Sequence, residues 1–335
     1  ILLKGIKVGD KVFKFFAASN SQQRNGGLYL TNLDQNSLYS TLGDFSSLPN
    51  AAKTMSRIGL SLGSSLATIS IPFNKNMMID DVKNDKYCFT DGIGMISPDL
   101  ASEITKLMGV EKCPSAFQIR YAGFKGVLAV NPNAKGILFR PSMKKFESKY
   151  SHIDVLNYSK PQNLTLNRQS IAILSHLGIS DETFEMIHDH HLFSLIDSFN
   201  DPHTAHCLLK EHLNHHLLDV SLIKSKCNLL FDHFFQKMLH NLVLYQINSL
   251  KTKACIPVEK GRNMIGVVDE YDILDYGKVF VQYTDDNENC EIVKGKVVVY
   301  RCPLSRASDV LVLEAIDVPE LRHLKDVIVF PRKGV

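Results

Sequence analysis

Short runs of apolar residues with strand-like spacing occupy the amino-terminal part of the chain. Two β-rich runs flank Gly9-Asp10, and this arrangement predicts a hairpin with a two-residue turn. Residues 117–121 and 127–130 predict two further strands, and the second is apolar enough that we expect it to be buried. This part of the chain is therefore predicted to consist mainly of short strands joined by turns.

Helical spacing replaces the strand pattern in the middle of the chain, and strand-like runs return near the carboxyl end. The predicted helices cover residues 48–60, 102–108 and 166–177, and further helices begin near residues 180, 202 and 222. The predicted later strands cover residues 256–258, 264–268, 278–283 and 296–300. The pattern as a whole predicts an α+β fold in which a helical segment separates two β-rich regions.

Composition places the chain among ordinary globular proteins. It has 335 residues, of which 44% are hydrophobic and 22% charged, enough for two or three domains. The net charge is only +3, so any affinity for nucleic acid must come from local patches. Seven scattered cysteines without a Cys-x-x-Cys pair indicate free thiols in a reducing, intracellular location, either cytoplasmic or nuclear. Neither a signal peptide nor a membrane-length apolar run is visible, and we expect no membrane partner.

A basic cluster stands out between Lys112 and Lys149, where eight cations accompany one acid, Glu147. The cations are Lys112, Arg120, Lys125, Lys135, Arg140, Lys144, Lys145 and Lys149. Gly123 and Gly126 lie among them and would let backbone approach a ligand closely. Such strands suit a polyanion, either a triphosphate or a nucleic-acid strand. The alternative is that these cations form the solvated faces of ordinary strands.

Histidines are concentrated in the predicted helical segment, with 11 of the 13 between His176 and His240. A group that suggests zinc consists of His203, His206, His212, His215 and His216 with Cys207 beside them. Their spacing fits no closed four-ligand scheme, and no cysteine pair anchors them. We therefore expect histidines on solvated helix faces, and a zinc-dependent helical module would require stoichiometric metal in the purified protein.

Several strings in the chain resemble motifs of one family, the eukaryotic RNA-dependent RNA polymerases of RNA silencing. The family pattern PSxFQ-R-x-GG-KG corresponds to residues 114–126, and its LRPSM-x-KF to residues 139–146. FTDGIG-x-IS corresponds to residues 89–97, and GR-x-x-x-G-V-x-DE to residues 261–270. The matches follow the family order and extend over essentially the whole chain.

The resemblance implies an architecture that periodicity alone would not distinguish from other small barrels. Residues 1–84 would form an amino-terminal α/β segment of the polymerase core, and residues 85–150 a first double-psi β-barrel. Residues 151–254 would form a helical connector, and residues 255–335 an incomplete second double-psi β-barrel.

The resemblance also implies an activity, the template-directed joining of ribonucleoside triphosphates into double-stranded RNA for gene silencing. RNA template, double-stranded product, nucleotides and small-RNA silencing proteins would be the partners. The residues that would bind nucleotide or RNA phosphates are Arg120, Lys125, Arg140 and Lys145. Weaker candidates for RNA contact are Lys53, Arg57 and Arg262, and Lys53 and Arg57 lie four residues apart on one predicted helix face.

The catalytic carboxylates of the family lie in an Asp-x-Asp-Gly-Asp loop that follows an FP-x-x-G segment. They hold the Mg²⁺ ions used in nucleotidyl transfer, because closely spaced carboxylates are the hard ligands that this ion prefers. No Asp-x-Asp occurs in the sequence, and Asp80-Asp81 and Asp285-Asp286 lie in polar connecting segments. The resemblance thus predicts an internal fragment with no catalytic or metal-binding residues, inactive alone, whose Asp triad would follow Val335.

One segment departs from the family pattern. Where the family usually has Asn-Pro-x-x-His-Pro-Gly-Asp, residues 302–309 read Cys-Pro-Leu-Ser-Arg-Ala-Ser-Asp. The change predicts a reshaped loop and supports an alternative, a catalytically inactive paralogue that binds RNA in the same channel. An Asp-x-Asp-Gly-Asp loop beyond Val335 would favour the enzyme over this binding protein.

Overall fold

The computed structural model describes residues 2–19, 22–23, 26–212, 230–285 and 288–334, and it has a mixed α+β fold with several sheets. Its strands are β1 Ile6–Val8, β2 Lys11–Ala17, β3 Tyr29–Thr31, β4 Leu66–Ser70, β5 Ile93–Ile96, β6 Ala116–Tyr121, β7 Phe124–Val130, β8 Ile137–Leu138, β9 His152–Tyr158, β10 Asn163–Thr165, β11 Pro257–Arg262, β12 Ile265–Val268, β13 Lys278–Thr284, β14 Cys290–Ile292, β15 Gly295–Tyr300, β16 Val310–Ala315 and β17 Val327–Phe330. Its helices are α1 Gln35–Leu42, α2 Ala51–Leu60, α3 Pro98–Leu107, α4 Arg168–His176, α5 Asp181–Asp197, α6 Pro202–His212 and α7 His233–Lys253.

The chain divides into two compact units. The first consists of Ile1–Pro161, Met264–Val297 and Leu313–Val335, and the second of Gln162–Asn263 and Val298–Val312. The four domains expected from the resemblance divide the chain differently, and their boundaries stay predictions.

The amino-terminal hairpin is confirmed. β1 and β2 pair antiparallel with Val8 opposite Lys11, which leaves Gly9-Asp10 as the two-residue turn. The helix predicted for residues 48–60 is also confirmed, although α2 begins only at Ala51. It begins there because the side chain of Asn50 accepts a hydrogen bond from the backbone N–H of Lys53 and caps the helix.

The first large sheet has the strand order β4-β9-β6-β7-β5-β8, and its core contains the two central strands predicted from sequence. Phe117, Ile119 and Tyr121 of β6 are fully buried, whereas Arg120 between them lies on the other face and is half-buried. This alternation is what strand geometry requires when one face covers a core. Helix α3 adds Ile104 to the same core.

The second large sheet has the strand order β12-β17-β13-β16-β15, with β14 paired to β13. β12 and β17 run parallel, and so do β13 and β16, whereas β13 and β17 run antiparallel. Phe280, Val327 and Val329 are fully buried in its core. The strands predicted near residues 264–268 and 278–283 are therefore confirmed.

The second unit is mainly helical, with β10 and β11 as a small antiparallel pair. Its core includes Leu195, Leu209 and Leu239 from three different helices. The predicted helix starts near residues 166, 180 and 202 are confirmed, and the part of the next helix before residue 230 lies outside the described residues. Among the described residues, no helix combines the length and the apolar composition needed to cross a membrane.

Three strands of the first sheet, β4, β8 and β9, were not predicted, and β9 is the longest of them. β9 pairs with both β4 and β6 and places Val155 opposite Ile119. Ile153 and Val155 are buried and alternate with polar neighbours, which is a strand signal, but the sequence interpretation assigned this stretch to the helical connector. The six described cysteines are free, as expected, and Cys227 lies outside the described residues.

Candidate functional site

The turn between β6 and β7 brings two of the predicted phosphate-binding cations together. Arg120 and Lys125 are directly opposite each other in the antiparallel register, so their side chains leave the same face of the sheet. The turn is tight because Ala122 and Gly123 both have positive φ, 45° and 81°. Both cations are half-buried. Because they lie side by side on one face, the hairpin presents two positive charges close together.

Arg120 uses only part of its hydrogen-bonding capacity within the protein. Its Nε donates to the carbonyl of Leu60 at 3.3 Å, whereas its buried Nη1 has no partner among the described residues. Burial lowers the pKa of Arg120, and the charge of Asp154 on the neighbouring strand β9 opposes this shift. A buried donor without an acceptor is costly, so Arg120 is incompletely satisfied within the described residues.

Helix α2 places a second arginine near the same position. Leu60, whose carbonyl accepts from Arg120, is the last residue of α2, and Arg57 lies in the last turn of that helix. Within the described ranges the buried Nε of Arg57 also lacks a partner. Lys53 lies in the first turn and is exposed. Of the two weaker candidates on α2, Arg57 therefore has a donor without a partner among the described residues. It also lies at the end of the helix that Arg120 contacts.

Residues 143–147 pack against the β6–β7 turn, and this contact places Lys145 beside the turn. The N–H of Lys145 donates to the carbonyl of Gly123 at 3.0 Å, and its Nζ donates to the carbonyl of Ser142 at 2.5 Å. A Cβ at Gly123 would overlap the carbonyl oxygen of Phe146. The protein's own backbone therefore requires this glycine, which sequence reasoning had linked to the approach of a ligand.

Arg140, the remaining strong candidate, is enclosed by protein. Its side chain is only 3% exposed, and Nη1 and Nη2 each donate to a carboxylate oxygen of Glu270 at 2.9 Å. Nε donates to the carbonyl of Asp80 at 3.1 Å, and Nη1 to that of Ile93 at 2.8 Å. This paired fork geometry is a strong arginine–carboxylate contact. Phosphate binding by Arg140 stays a prediction, and it would require this contact to open.

Asp81 joins two of the family-like motifs by hydrogen bonds. It accepts from the N–H of Ser142 at 2.9 Å, from the Ser142 hydroxyl at 2.7 Å and from the Thr90 hydroxyl at 3.0 Å. Burial acts to raise the pKa of Asp81, but the hydrogen bonds from Ser142 and Thr90 outweigh it and the pKa is lowered. The Ser142 hydroxyl also accepts from the N–H of Gly92 at 3.1 Å, which fixes the Asp91-Gly92 turn.

The loop after β12 is organised by Asp269, which is fully buried. Its carboxylate accepts from the N–H groups of Tyr271, Ile273 and Leu274 at 2.9, 2.6 and 2.7 Å. The adjacent Glu270 binds Arg140, so both acids of the motif V-x-DE have structural contacts. Sequence reasoning gave Glu270 no role, although a buried arginine requires a carboxylate nearby and the motif acids were candidates.

Arg262 belongs to the second unit, where its Nη1 donates to the carbonyls of Glu259 and Gly261 at 3.0 and 2.9 Å.

The loop at residues 302–309, whose sequence differs from the family pattern, is closed by Asp309. The carboxylate of Asp309 accepts from the N–H of Arg306 at 3.0 Å. The loop therefore has an ordered internal contact despite its unusual sequence.

Metal binding finds no support in the described part of the chain. There, no three His, Cys, Asp or Glu side chains are grouped so that they could hold a metal ion. His203 and Cys207 lie one helical turn apart on α6, with Sγ 3.9 Å from the Nδ1 atom of the imidazole. His215 and His216 of the suggested zinc group lie outside the described residues.

Comparison with known proteins gives consistent matches over the full chain. The sequence is 37% identical over 352 residues to RNA-dependent RNA polymerase 1 of Arabidopsis thaliana, covering 100% of this chain and 32% of that protein. It is 33% identical over 366 residues to RNA-dependent RNA polymerase 6 of Arabidopsis thaliana, covering 100% of this chain and 30% of that protein. The chain thus spans about a third of the length of these relatives.

A solved structure shares the fold. The RNA dependent RNA polymerase QDE-1 from Thielavia terrestris superposes with a TM-score of 0.74 at 20% identity, covering 100% of this chain and 43% of that one. The family model described as RNA dependent RNA polymerase matches residues 1–335. On this match along its whole sequence, the chain belongs to the RNA-dependent RNA polymerase family.

Proposed function

We propose that the protein is an RNA-directed RNA polymerase that joins ribonucleoside triphosphates on an RNA template and makes double-stranded RNA for gene silencing. The match of the family model to every residue of the chain is the observation that carries this proposal. The names of the similar proteins, several of them RNA-dependent RNA polymerases at 30% identity or more, support it.

In this proposal the surface around the β6–β7 turn binds phosphates. Arg120 and Lys125 share one face, and Lys145 is held beside the same turn. Phosphoryl transfer depends on positioning and on cations that offset the negative charge of the transferred group. The half-buried Arg120, with a donor that lacks a partner in the described ranges, suits this role best, and Arg57 extends the surface towards α2.

Arg140 has a different part in the proposal. Its bonds to Glu270 join β-rich parts of the first unit that are 130 residues apart in the chain. We assign it to holding these parts of the first unit together, and RNA contact by Lys53 and Arg262 stays a prediction.

The two large sheets are proposed to be double-psi β-barrels. Each sheet contains a parallel pair made by strands that are not consecutive in the chain, β5 with β7 and β12 with β17. Mixed sheets with such crossing connections support this finer description of the fold.

Mg²⁺ is the proposed cofactor, since the family chemistry calls for a divalent metal. The described residues do not form a set of ligands that fits it. The chemistry that the ion would supply is charge neutralisation at the reacting phosphates. The cations around the β6–β7 turn would position the phosphates and supply fixed positive charge.

RNA, ribonucleoside triphosphates and proteins of small-RNA silencing are the proposed partners, in an intracellular location. All of these concern a whole protein of this family, and the chain spans about a third of the length of RNA-dependent RNA polymerase 1 of Arabidopsis thaliana.

The proposal is tested by measuring incorporation of labelled ribonucleotide on a single-stranded RNA template by the full-length natural protein. Lys125→Ala should lower kcat/KM about 100-fold, as loss of one preorganised charge-stabilising group typically does. Lys135→Ala is the matched control, because this exposed lysine of the same basic stretch lies outside the β6–β7 turn. RNA binding without any incorporation by the wild-type protein would instead support the inactive, RNA-binding paralogue.

A further inference from the structure

Phe73 is an exposed aromatic residue on a segment of the first unit that is hydrogen-bonded on both sides of it. Its side chain is 42% exposed, and it lies between β4 and the short turn at Lys75–Met77. On one side, the carbonyl of Ile71 accepts from the hydroxyl of Tyr121 at 2.6 Å. On the other side, the Asn74 carbonyl accepts from the N–H of Met77 at 2.9 Å. Phe73 is therefore presented between two anchored points.

The ring of Phe73 is the outermost member of a row of aromatic rings that leads into the core. Its centroid lies 5.6 Å from that of Phe124, which is 2% exposed. The row continues to Phe139, 4.7 Å from Phe124, and to Tyr121, 5.0 Å from Phe139. Aromatic rings at these separations attract one another and restrict each other's orientation. A further flat ring placed on Phe73 would extend the row into solvent.

One cation lies over the faces of two rings of this row. The Nζ of Lys144 lies 4.6 Å from the centroid of Phe124 and 5.2 Å from that of Phe73. Both distances are within the range of cation–π attraction. The same Nζ lies 2.8 Å from a carboxylate oxygen of Glu147, which fixes its position further. Lys144 therefore adds a cation–π attraction to the packing of Phe73 on Phe124.

Two cations lie near Phe73: Lys144, whose Nζ is over its ring and is paired with Glu147, and Lys75, two residues further along the chain. Lys75 is exposed and only two residues from Phe73. A rigid exposed ring with cations around it is the combination that binds single-stranded nucleic acid, since the ring stacks on a base and the cations contact phosphates.

We propose that Phe73 is a stacking platform for an unpaired base of RNA, with Lys75 beside it contacting the adjoining phosphate. The inference rests on the proposed function, because it adds a base-binding position to the phosphate-binding surface of an RNA polymerase. Stacking of this kind does not depend on the identity of the base, because every base has a flat π face.

The test measures binding of fluorescent oligouridylate, and of the same backbone with abasic sugars, to the full-length protein. Phe73→Leu should weaken binding of oligouridylate about tenfold and leave abasic binding unchanged, whereas Phe73→Tyr should bind both as the wild type does. Tyr276→Leu is the matched control, since Tyr276 is 67% exposed but follows the acid Asp275. It should change neither affinity.

The outcomes separate this inference from the proposed function. Equal oligouridylate affinity of Phe73→Leu and the wild type would overturn the stacking role and leave RNA binding intact. An equal loss on both probes would also overturn it, because the variant would then have damaged the backbone-binding surface or the fold. A wild-type protein that binds neither probe would overturn the proposed function, and the inference with it.

Discussion

Arg120 and Arg140 lie in the same basic stretch of sequence, but their surroundings differ in kind. Arg140 is 3% exposed and donates to Glu270 and to two backbone carbonyls. Arg120 is half-buried, donates to one carbonyl and keeps a buried Nη1 without a partner in the described ranges. One guanidinium is fully satisfied by the protein, and the other is only partly satisfied.

The difference shows that two cations of one basic stretch can differ in how completely the protein satisfies them. The deciding factor is whether the fold brings a carboxylate to the cation. Glu270 reaches Arg140 at 2.9 Å, whereas Asp154 lies opposite Arg120 on β9 and acts on it only through its charge. Variants at Glu270 and Arg120 test this comparison, and variants at Gly123 and Asp81 test neighbouring contacts of the first unit.

Glu270→Ala should have the largest effect on stability. It leaves the buried Arg140 without its carboxylate, and removal of one partner of a buried ion pair typically costs about 3–5 kcal/mol. The free energy of unfolding in urea measures the loss. Glu288→Ala, which breaks the exposed ion pair with Lys112, should leave the urea midpoint unchanged. Equal midpoints for Glu270→Ala and the wild type would show that the Arg140 contact is not structural.

Gly123→Ala should have the next largest effect, because it tests the packing of residues 143–147 against the β6–β7 turn. The added Cβ would overlap the Phe146 carbonyl, and the positive φ of 81° adds backbone strain, so we expect a loss of about 3 kcal/mol. Gly277→Ala has a similar φ of 84° but meets nothing within 4 Å. It should cost only about 1 kcal/mol in the same urea measurement. Equal losses for the two variants would assign the whole effect to backbone conformation.

Asp81→Asn should cost about 1 kcal/mol at neutral pH, a modest value because Asp81 is partly exposed and solvent screens its interactions. The pKa of Asp81 is lowered in the folded state, so its contribution is present above the unfolded value of 3.8 and is lost as the pH falls through the folded pKa. The difference between variant and wild type should therefore shrink below pH 3.8. A difference that stays constant from neutral to acid pH would contradict the proposed charge dependence.

Arg120→Met should have the smallest effect on stability, less than about 1 kcal/mol, because Arg120 makes a single hydrogen bond within the protein. The same variant should lose RNA synthesis in the full-length protein if Arg120 binds phosphate. Thermal unfolding and nucleotide incorporation, measured on the same preparation, separate the two effects. A loss of stability as large as that of Glu270→Ala would remove the contrast between the two arginines.

The sequence by itself determined the local elements and the family. The hairpin at Gly9-Asp10, the strands β6 and β7 and the helix after Asn50 follow from turn residues, alternation and capping, which act over a few neighbouring residues. The motif strings identified the family, and the comparisons confirmed it. Strand β9 was missed, although its alternation is a local signal.

Only the tertiary structure decided which contacts the cations make. The carboxylate that binds Arg140 lies 130 residues further along the chain, and Asp81 reaches Ser142 across 61 residues. Spacing along a sequence carries no information about such contacts, because they depend on how sheets pack and which faces meet. The same packing left Nη1 of Arg120 without a partner among the described residues and exposed Phe73 at the end of its aromatic row, because burial is a property of the assembled core and not of the residue.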